Sequence, residues 1–227
     1  MLLIVLNMLI SFFQPTLPLS NAETDFGSAI EKTIQLSNGF QVDLGRSEDL
    51  NSFITYTLFI LSKNGEVIFI DSSLTEYDFT DTLYPLVHKI GKEKYELCFA
   101  VNDRPNKSYL IRYLIDTNRV INTDTLPTFI CGEKNLDADN FPEYAGFIEY
   151  AEIWDSAGVE LAPYNPLLYY EQTPDGIKLD SALTIFRNKV IYGEFYGFSY
   201  DEKRSFLHLV QRERIKEEID RIRRTTD

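Results

Sequence analysis

The sequence predicts a mainly β fold, an antiparallel sandwich or a propeller-like domain, followed by a C-terminal α-helix. Short runs rich in β-branched and aromatic residues recur at roughly 8–15 residue spacing, and turn-forming residues separate them. No strand alternates with a helical segment in the way a parallel α/β sheet requires. One long stretch without Gly or Pro stands at the C-terminal end. These three observations together favour antiparallel strands and a single terminal helix.

The first strands are identified by their turns. Residues 34–36 and 40–44 flank Asn38 and Gly39, a pair that adopts the positive φ of a tight hairpin. Residues 52–61 and 66–70 likewise flank 63–65, which contain a second Asn-Gly pair. Further strands are expected at 95–101, 109–115, 144–154, 167–172, 177–179 and 190–200, the last of them rich in aromatic residues.

The predicted helix covers residues 201–224 and is rich in Glu, Arg, Leu and Ile. Its apolar residues recur at spacings of roughly three to five, which gives a loose stripe on one face. Two interpretations stay open for the segment 201–227, namely a helix packed on the β-rich body of residues 23–200 and an arm that binds a partner.

The N-terminal residues 1–22 resemble a signal peptide. Residues 1–13 are apolar and uncharged, and small residues at Ser20 and Ala22 suit a peptidase site. The apolar run is too short for a membrane span, so no transmembrane segment is expected. We therefore expect an exported protein, periplasmic or secreted; an uncleaved anchor and a buried N-terminal element are the alternatives.

The formal net charge of −13 restricts the classes of partner. Such a charge disfavours nucleic acid and anionic membrane surfaces, and it suits a divalent cation or a basic protein. The acidity belongs to the β-rich body, because the chain from residue 201 onward carries eight Lys or Arg against seven Asp or Glu.

Cys98 and Cys131 are the only two cysteines. An even number in an exported chain permits one disulfide, which would attach the base of an acidic loop to the body. Two separately buried thiols are equally compatible with the sequence.

The acidic loop at residues 135–143, with the sequence NLDADNFPE, contains the clearest candidate site. Oxygen ligands fall at alternate positions, and calcium prefers six to eight hard oxygens that one tight loop supplies in large part. Asn140 stands where the chain should turn sharply, in a left-handed conformation. A polar hairpin loop without a metal is the alternative. The predicted calcium ligands are the side chains of Asn135, Asp137, Asp139 and Glu143 and the backbone carbonyl of Phe141.

The flanks of this loop distinguish it from an EF-hand, which needs helices on both sides and a Glu at its twelfth position. Gly146 occupies that position, and a strand is predicted to follow the loop. The loop resembles the strand-flanked calcium loops of FG-GAP and VCBS-type repeats. It departs from their pattern at Asn135 and Asn140, where those loops have Asp and Gly.

No catalytic constellation is evident. His88 and His208 are the only imidazoles, and no nucleophile, zinc or phosphate-loop motif accompanies them. The aromatic runs at 164–170 and 192–200 are expected in the core, or on an exposed binding face. A small exported β protein with one such calcium loop resembles the periplasmic lysozyme-inhibitor and immunity proteins. This resemblance implies a non-enzymatic domain that binds a basic, lysozyme-like protein; the alternative is a carbohydrate-binding or glycan-processing module.

Overall fold

The computed structural model describes residues 29–50, 53–72, 74–103, 107–147 and 154–225. The predicted signal peptide at residues 1–22 lies outside these ranges. The first strands are β1 (Ile30–Gln35), β2 (Phe40–Leu50), β3 (Phe53–Lys63), β4 (Glu66–Asp71), β5 (Glu76–Asp78), β6 (Leu86–Lys89), β7 (Lys94–Asp103), β8 (Lys107–Asp116) and β9 (Arg119–Pro127). The elements that follow are β10 (Glu143–Gly146), β11 (Trp154–Ser156), β12 (Val159–Tyr164), β13 (Leu168–Thr173), β14 (Gly176–Leu179), α1 (Ser181–Tyr192), β15 (Asp201–Leu207) and α2 (His208–Arg224).

The described strands pair in antiparallel fashion into four sheets, which confirms a mainly β fold with a C-terminal helix. The first sheet has the order β1-β2-β3-β4, and the second has β5-β7-β8-β9 with β6 also paired to β7. The third sheet is β10-β13-β14 and the fourth is β11-β12-β15. The Asn-Gly hairpins are confirmed, since Asn38 and Gly39 have φ of 58° and 76° and Asn64 and Gly65 have 52° and 86°.

The second sheet is a central layer with apolar side chains on both faces. Successive side chains of a strand point to opposite sides, and β7 is buried continuously from residue 95 to 101. Leu97 and Phe99 enter the core shared with the first sheet, whereas Cys98 and Ala100 enter the core shared with the third sheet. The unbroken buried run in β7, which is apolar apart from Glu96, therefore reflects a strand covered on both faces.

The third sheet has a core on each face: the second core lies between it and the second sheet, and the third core lies between it and the helices. Tyr144 of β10 and Tyr170 of β13 pack towards the second sheet, while their neighbours Ala145 and Tyr169 pack towards the helices. The third core consists of buried residues from the acidic loop, β10, β12, β13 and both helices. Its members are Leu136, Ala145, Tyr164, Leu167, Tyr169, Leu183, Ile191, Tyr192 and Ile222.

The predicted aromatic strand at 190–200 is wrong, because residues 181–192 form helix α1. Asp180 caps the helix by accepting a hydrogen bond from the Leu183 amide (2.9 Å). Gly193 ends it with a φ of 85°, and its amide donates to the Lys189 carbonyl. Burial of Ile191 and Tyr192 in the third core stabilises a helical conformation in a segment whose residue pattern favours a strand.

Two predicted boundaries are also corrected. A single strand over 144–154 is wrong, since β10 ends at Gly146, where a side chain would meet the Thr128 carbonyl; β11 begins at Trp154. The C-terminal helix is confirmed only from His208, because 201–207 form β15, which pairs with β12. Within the described ranges, no helix has both the length and the apolarity to cross a membrane.

The two cysteines lie in different parts of the core. Cys98 is fully buried in the second core, and Cys131 packs against the third core. The structure describes both residues and does not join them by a disulfide, so it favours two separate thiols over a bridge. Burial raises the pKa of the Cys98 thiol above its ordinary value, which makes this thiol a poor nucleophile.

Candidate functional site: an acidic loop at the edge of the third sheet

The acidic loop is closed at its base by backbone hydrogen bonds. The amide of Lys134 donates to the carbonyl of Glu143 (2.9 Å), and the amide of Glu143 donates to the carbonyl of Lys134 (2.7 Å). Leu136, the apolar residue in the first half of the loop, is buried in the third core and anchors this half to the body. The two ends of the loop are therefore held together by backbone hydrogen bonds. Strand β10 follows the loop, as the sequence predicts.

The polar side chains of the loop fold it back on itself. Asn135 accepts a hydrogen bond from the Ala138 amide at its Oδ1 (2.6 Å) and donates one from its Nδ2 to the Asp139 carbonyl (2.6 Å). Ala138 has a φ of 68°, so the left-handed residue is Ala138 and the expectation for Asn140 is wrong. The turn comes earlier than predicted because the Asn135 side chain tightens the first half of the loop.

Three of the predicted ligands converge. Carboxylate oxygens of Asp137, Asp139 and Glu143 lie within 4.8 Å of one another. Asp139 accepts a hydrogen bond at Oδ1 from the amide of Phe141 (2.7 Å), so the chain wraps around this carboxylate. The other two predicted ligands, Asn135 and the Phe141 carbonyl, belong to the same loop but are not part of this carboxylate cluster, so they stay predictions.

Glu143 distinguishes this cluster from an ordinary acidic turn. Its side chain is buried, with the residue only 1% exposed. Its Oε2 accepts a hydrogen bond from the Leu136 amide (2.6 Å), whereas its Oε1 is buried without a hydrogen-bond partner among the described residues. Burial, followed by the charges of Asp137 and Asp139, raises the pKa of Glu143 to about 7, against the lowering effect of the Leu136 hydrogen bond.

Further carboxylates lie near the cluster. Glu171 on β13 is directly opposite Glu143 in the sheet register, an arrangement that is unfavourable for like charges. Burial and the charges of Asp139, Asp180 and Asp137 raise the pKa of Glu171, while Lys178 lowers it. The Coulombic influence of Asp180 also reaches Glu143. The edge of the third sheet therefore concentrates negative charge that a cation would relieve.

The donor set fits a hard divalent cation. Three carboxylates, one of them with a buried oxygen that has no hydrogen-bond partner among the described residues, form the oxygen-only environment that calcium prefers. The triad contains neither imidazole nor thiolate, the ligands that zinc favours. No helix flanks the loop directly on either side, so the predicted distinction from an EF-hand agrees with the structure.

A second polar cluster was missed at the level of sequence. The side chain of Glu96 is fully buried and accepts hydrogen bonds from Arg112 Nη1 (3.1 Å) and from the Ile177 amide (3.0 Å). Arg112 also binds Asp124, with Nε 2.6 Å from Oδ1. This cluster links the second sheet to β14. The signal in the sequence is weak, since the three charged residues belong to three different strands.

His88 belongs to the same region. Its Nδ1 lies 3.6 Å from Glu96 Oε2, and its Nε2 lies 3.1 Å from the hydroxyl of Tyr144. Burial raises the pKa of the Tyr144 hydroxyl above its ordinary value, so this group stays protonated. Both partners of His88 are buried, and the His88 side chain is itself 19% exposed, so the imidazole lies at the edge of this polar cluster.

Comparison of the chain with protein-family models, with curated proteins and with solved structures found no match.

Proposed function

We propose that this protein binds calcium in the acidic loop at residues 135–143 and that the ion is structural. Asp137, Asp139 and Glu143 supply charged oxygens, and Asn135 and the Phe141 carbonyl complete the protein's part of the ligand set. Water fills the remaining positions, as is usual for calcium held by one short loop.

The observation that carries the proposal is the buried Oε1 of Glu143. A buried acceptor without a partner costs free energy, and a buried carboxylate costs more when it lies beside other carboxylates. A cation among Asp137, Asp139 and Glu143 removes both costs. An acidic turn that forms for reasons of turn chemistry alone has no need of a buried glutamate.

Calcium in this place would hold several elements together. Leu136 anchors the loop in the third core, and Glu143 starts β10. Lys134, at the base of the loop, donates from Nζ to the carbonyls of Arg223 (3.0 Å) and Thr225 (2.6 Å) at the end of α2. The ion would therefore stabilise the third sheet and, through Lys134, the C-terminal end of α2.

The other expectations from the sequence stay predictions. Export rests on residues 1–22, which lie outside the described ranges. A basic protein partner rests on the net charge of −13, and no surface of the described residues identifies that partner. Binding of carbohydrate is likewise untested.

Replacing Asp139 by Asn tests the calcium site with little change of shape. The amide keeps an acceptor for the Phe141 amide, but one negative charge near the ion is lost. We expect the calcium dissociation constant to rise by about tenfold or more, because affinity in such loops depends on the number of charged ligands. Calorimetric titration of the full chain measures it.

Asp155→Asn is the matched control. Asp155 is exposed, and its Oδ1 accepts a hydrogen bond from the Gly158 amide (2.8 Å) in another tight turn. This substitution therefore removes one turn carboxylate, as Asp139→Asn does, but outside the acidic loop. Its calcium affinity should equal that of the unmodified protein. Equal affinities for the Asp139 and Asp155 variants would place calcium outside the loop.

A further inference from the structure

A cleft of about 740 Å³ separates α2 from the second sheet. Residues of β7 and β8, including Asn102 and Ser108, contribute to it together with Tyr84 and Phe129. Its volume lies in the range of ligand-binding clefts, and its lining combines aromatic with polar groups, as such sites do. The acidic loop at 135–143 does not contribute to this lining.

One face of α2 borders the cleft over three helical turns. The residues on this face recur at spacings of three and four, and with a rise of 1.5 Å per residue the face is about 16 Å long. They are Arg212, Ile215, Lys216, Ile219, Asp220 and Arg223. The face therefore combines apolar contact with positive charge in a protein whose net charge is −13.

Two of the cations on this face lack a partner among the described residues. Within the described part of the chain, the side chains of Arg212 and Lys216 take part in no ion pair or hydrogen bond. The opposite face of α2 differs, because Arg221 there is paired with Glu218 (2.8 Å). Arg212 and Lys216 lie one helical turn apart and can bind a carboxylate together, with the guanidinium able to form two parallel hydrogen bonds. Asp78, Asp81 and Asp220 also line the cleft, so the carboxylate is expected at the Arg212 end.

A smaller apolar pocket of about 150 Å³ adjoins the cleft. Phe147, Arg212 and Ile215 line both spaces, so these residues lie at the boundary between them. An apolar cavity of this volume accommodates a benzene ring. Gln211 lines the pocket, and its Oε1 is buried without a hydrogen-bond partner among the described residues.

We propose that the cleft and its side pocket bind the C-terminus of a peptide that ends in an apolar residue. The α-carboxylate binds Arg212 and Lys216, the terminal side chain fills the pocket beside Phe147, and the terminal amide N–H donates to Gln211 Oε1. This ligand supplies one group for each of these three features.

The remainder of the cleft takes the residues that precede the terminus. The whole face of about 16 Å corresponds to roughly five extended residues at about 3.3 Å each, and the terminal residue is one of them. Asp81, Asn102 and Ser108 on the opposite wall offer polar groups to a peptide backbone. Arg223, at the far end of the helix face, suits an acidic side chain in the upstream part of the peptide.

The test uses the full chain and a hexapeptide of Ser and Gly that ends in Phe, with binding followed by calorimetry. Three matched probes are the same peptide with a C-terminal amide, the same peptide ending in Gly, and N-acetylphenylalanine. We expect the amide and the Gly-ended peptide to bind at least about tenfold more weakly, because each loses one anchor. N-acetylphenylalanine should bind more weakly than the hexapeptide; equal binding assigns the site to small N-acyl amino acids instead.

Two variants identify the site. Arg212→Ala removes the guanidinium from an exposed position of α2, and Ala162→Leu fills the side pocket without changing charge. Each should weaken binding of the Phe-ended hexapeptide by about tenfold, whereas Arg224→Ala, the removal of a cation outside the cleft, should not. Equal binding of the acid and the amide, or unchanged binding by the Arg212 and Ala162 variants when both keep the melting temperature of the unmodified protein, overturns the proposal.

Discussion

Replacing Glu143 by Gln should stabilise the metal-free protein at pH 8 and abolish its calcium binding. The pKa of Glu143 is raised from 4.5 to about 7 by burial and by the neighbouring carboxylates. A raised carboxyl pKa gives stability that is fully present below pH 4.5 and is lost as the pH rises through about 7. Gln stays neutral, keeps an acceptor for the Leu136 amide and offers N–H groups to Asp137 and Asp139.

The shift of the Glu143 pKa corresponds to roughly 3 kcal/mol at pH 8. The melting temperature of the Gln variant in chelator should therefore exceed that of the unmodified protein by about 5–10 °C at pH 8. The difference should vanish near pH 4, where both side chains are neutral. Calcium should raise the melting temperature of the unmodified protein only.

Glu194→Gln provides the control, because Glu194 is exposed and belongs neither to the loop nor to the carboxylates that influence Glu143. This substitution should leave both the melting temperature and the calcium response unchanged. A Glu143→Gln variant that is no more stable than the unmodified protein at pH 8, or that still responds to calcium, would show that the buried carboxylate is not the centre of the site.

Replacing Arg112 by Met should cause the largest loss of stability among single changes at the polar clusters. The Glu96 side chain is 0% exposed and would keep only the Ile177 amide and the half-buried His88 as partners. Removal of one partner from a buried ion pair typically costs about 3–5 kcal/mol, since the other charge is left without compensation. We expect the melting temperature at pH 8 to fall by about 10 °C or more.

Two comparisons test whether this loss comes from the unpaired buried charge of Glu96. Arg119→Met changes an exposed arginine at the β8–β9 turn and should alter the melting temperature little. Adding Glu96→Gln to the Arg112 variant should restore part of the stability, because a neutral amide costs less to bury than an unpaired carboxylate. If the double variant is as unstable as the sum of the two single variants, lost packing rather than lost charge compensation explains the effect.

The hairpins were predictable from the sequence because their turns are local. Each turn depends on an Asn-Gly pair, because these two residues readily adopt the positive φ that the turn requires; the pairs are Asn38-Gly39 and Asn64-Gly65. Helix α1 was not predicted, since its aromatic and β-branched residues favour a strand. The Asp180 cap and Gly193 were visible signals, but the choice between helix and strand depended on packing against the third core.

For the candidate site, the spacing of Asp137, Asp139 and Glu143 was enough to predict that their carboxylates converge. The burial of Glu143 was not predictable, because it depends on how β10 pairs with β13 and how Leu136 enters the third core. The cleft along α2 was also not predictable from the sequence, because its walls include segments more than a hundred residues apart.

The most direct test of the calcium site is a calorimetric titration of the chelator-treated full chain at pH 7, repeated in two buffers of different ionisation enthalpy. We expect one calcium ion per chain and the release of about half a proton on binding, since Glu143 with a pKa of about 7 is half protonated before the ion enters. At pH 8.5 the proton release should almost disappear. The absence of binding heat in both buffers, together with a melting temperature that chelator and calcium leave unchanged, would contradict the calcium site.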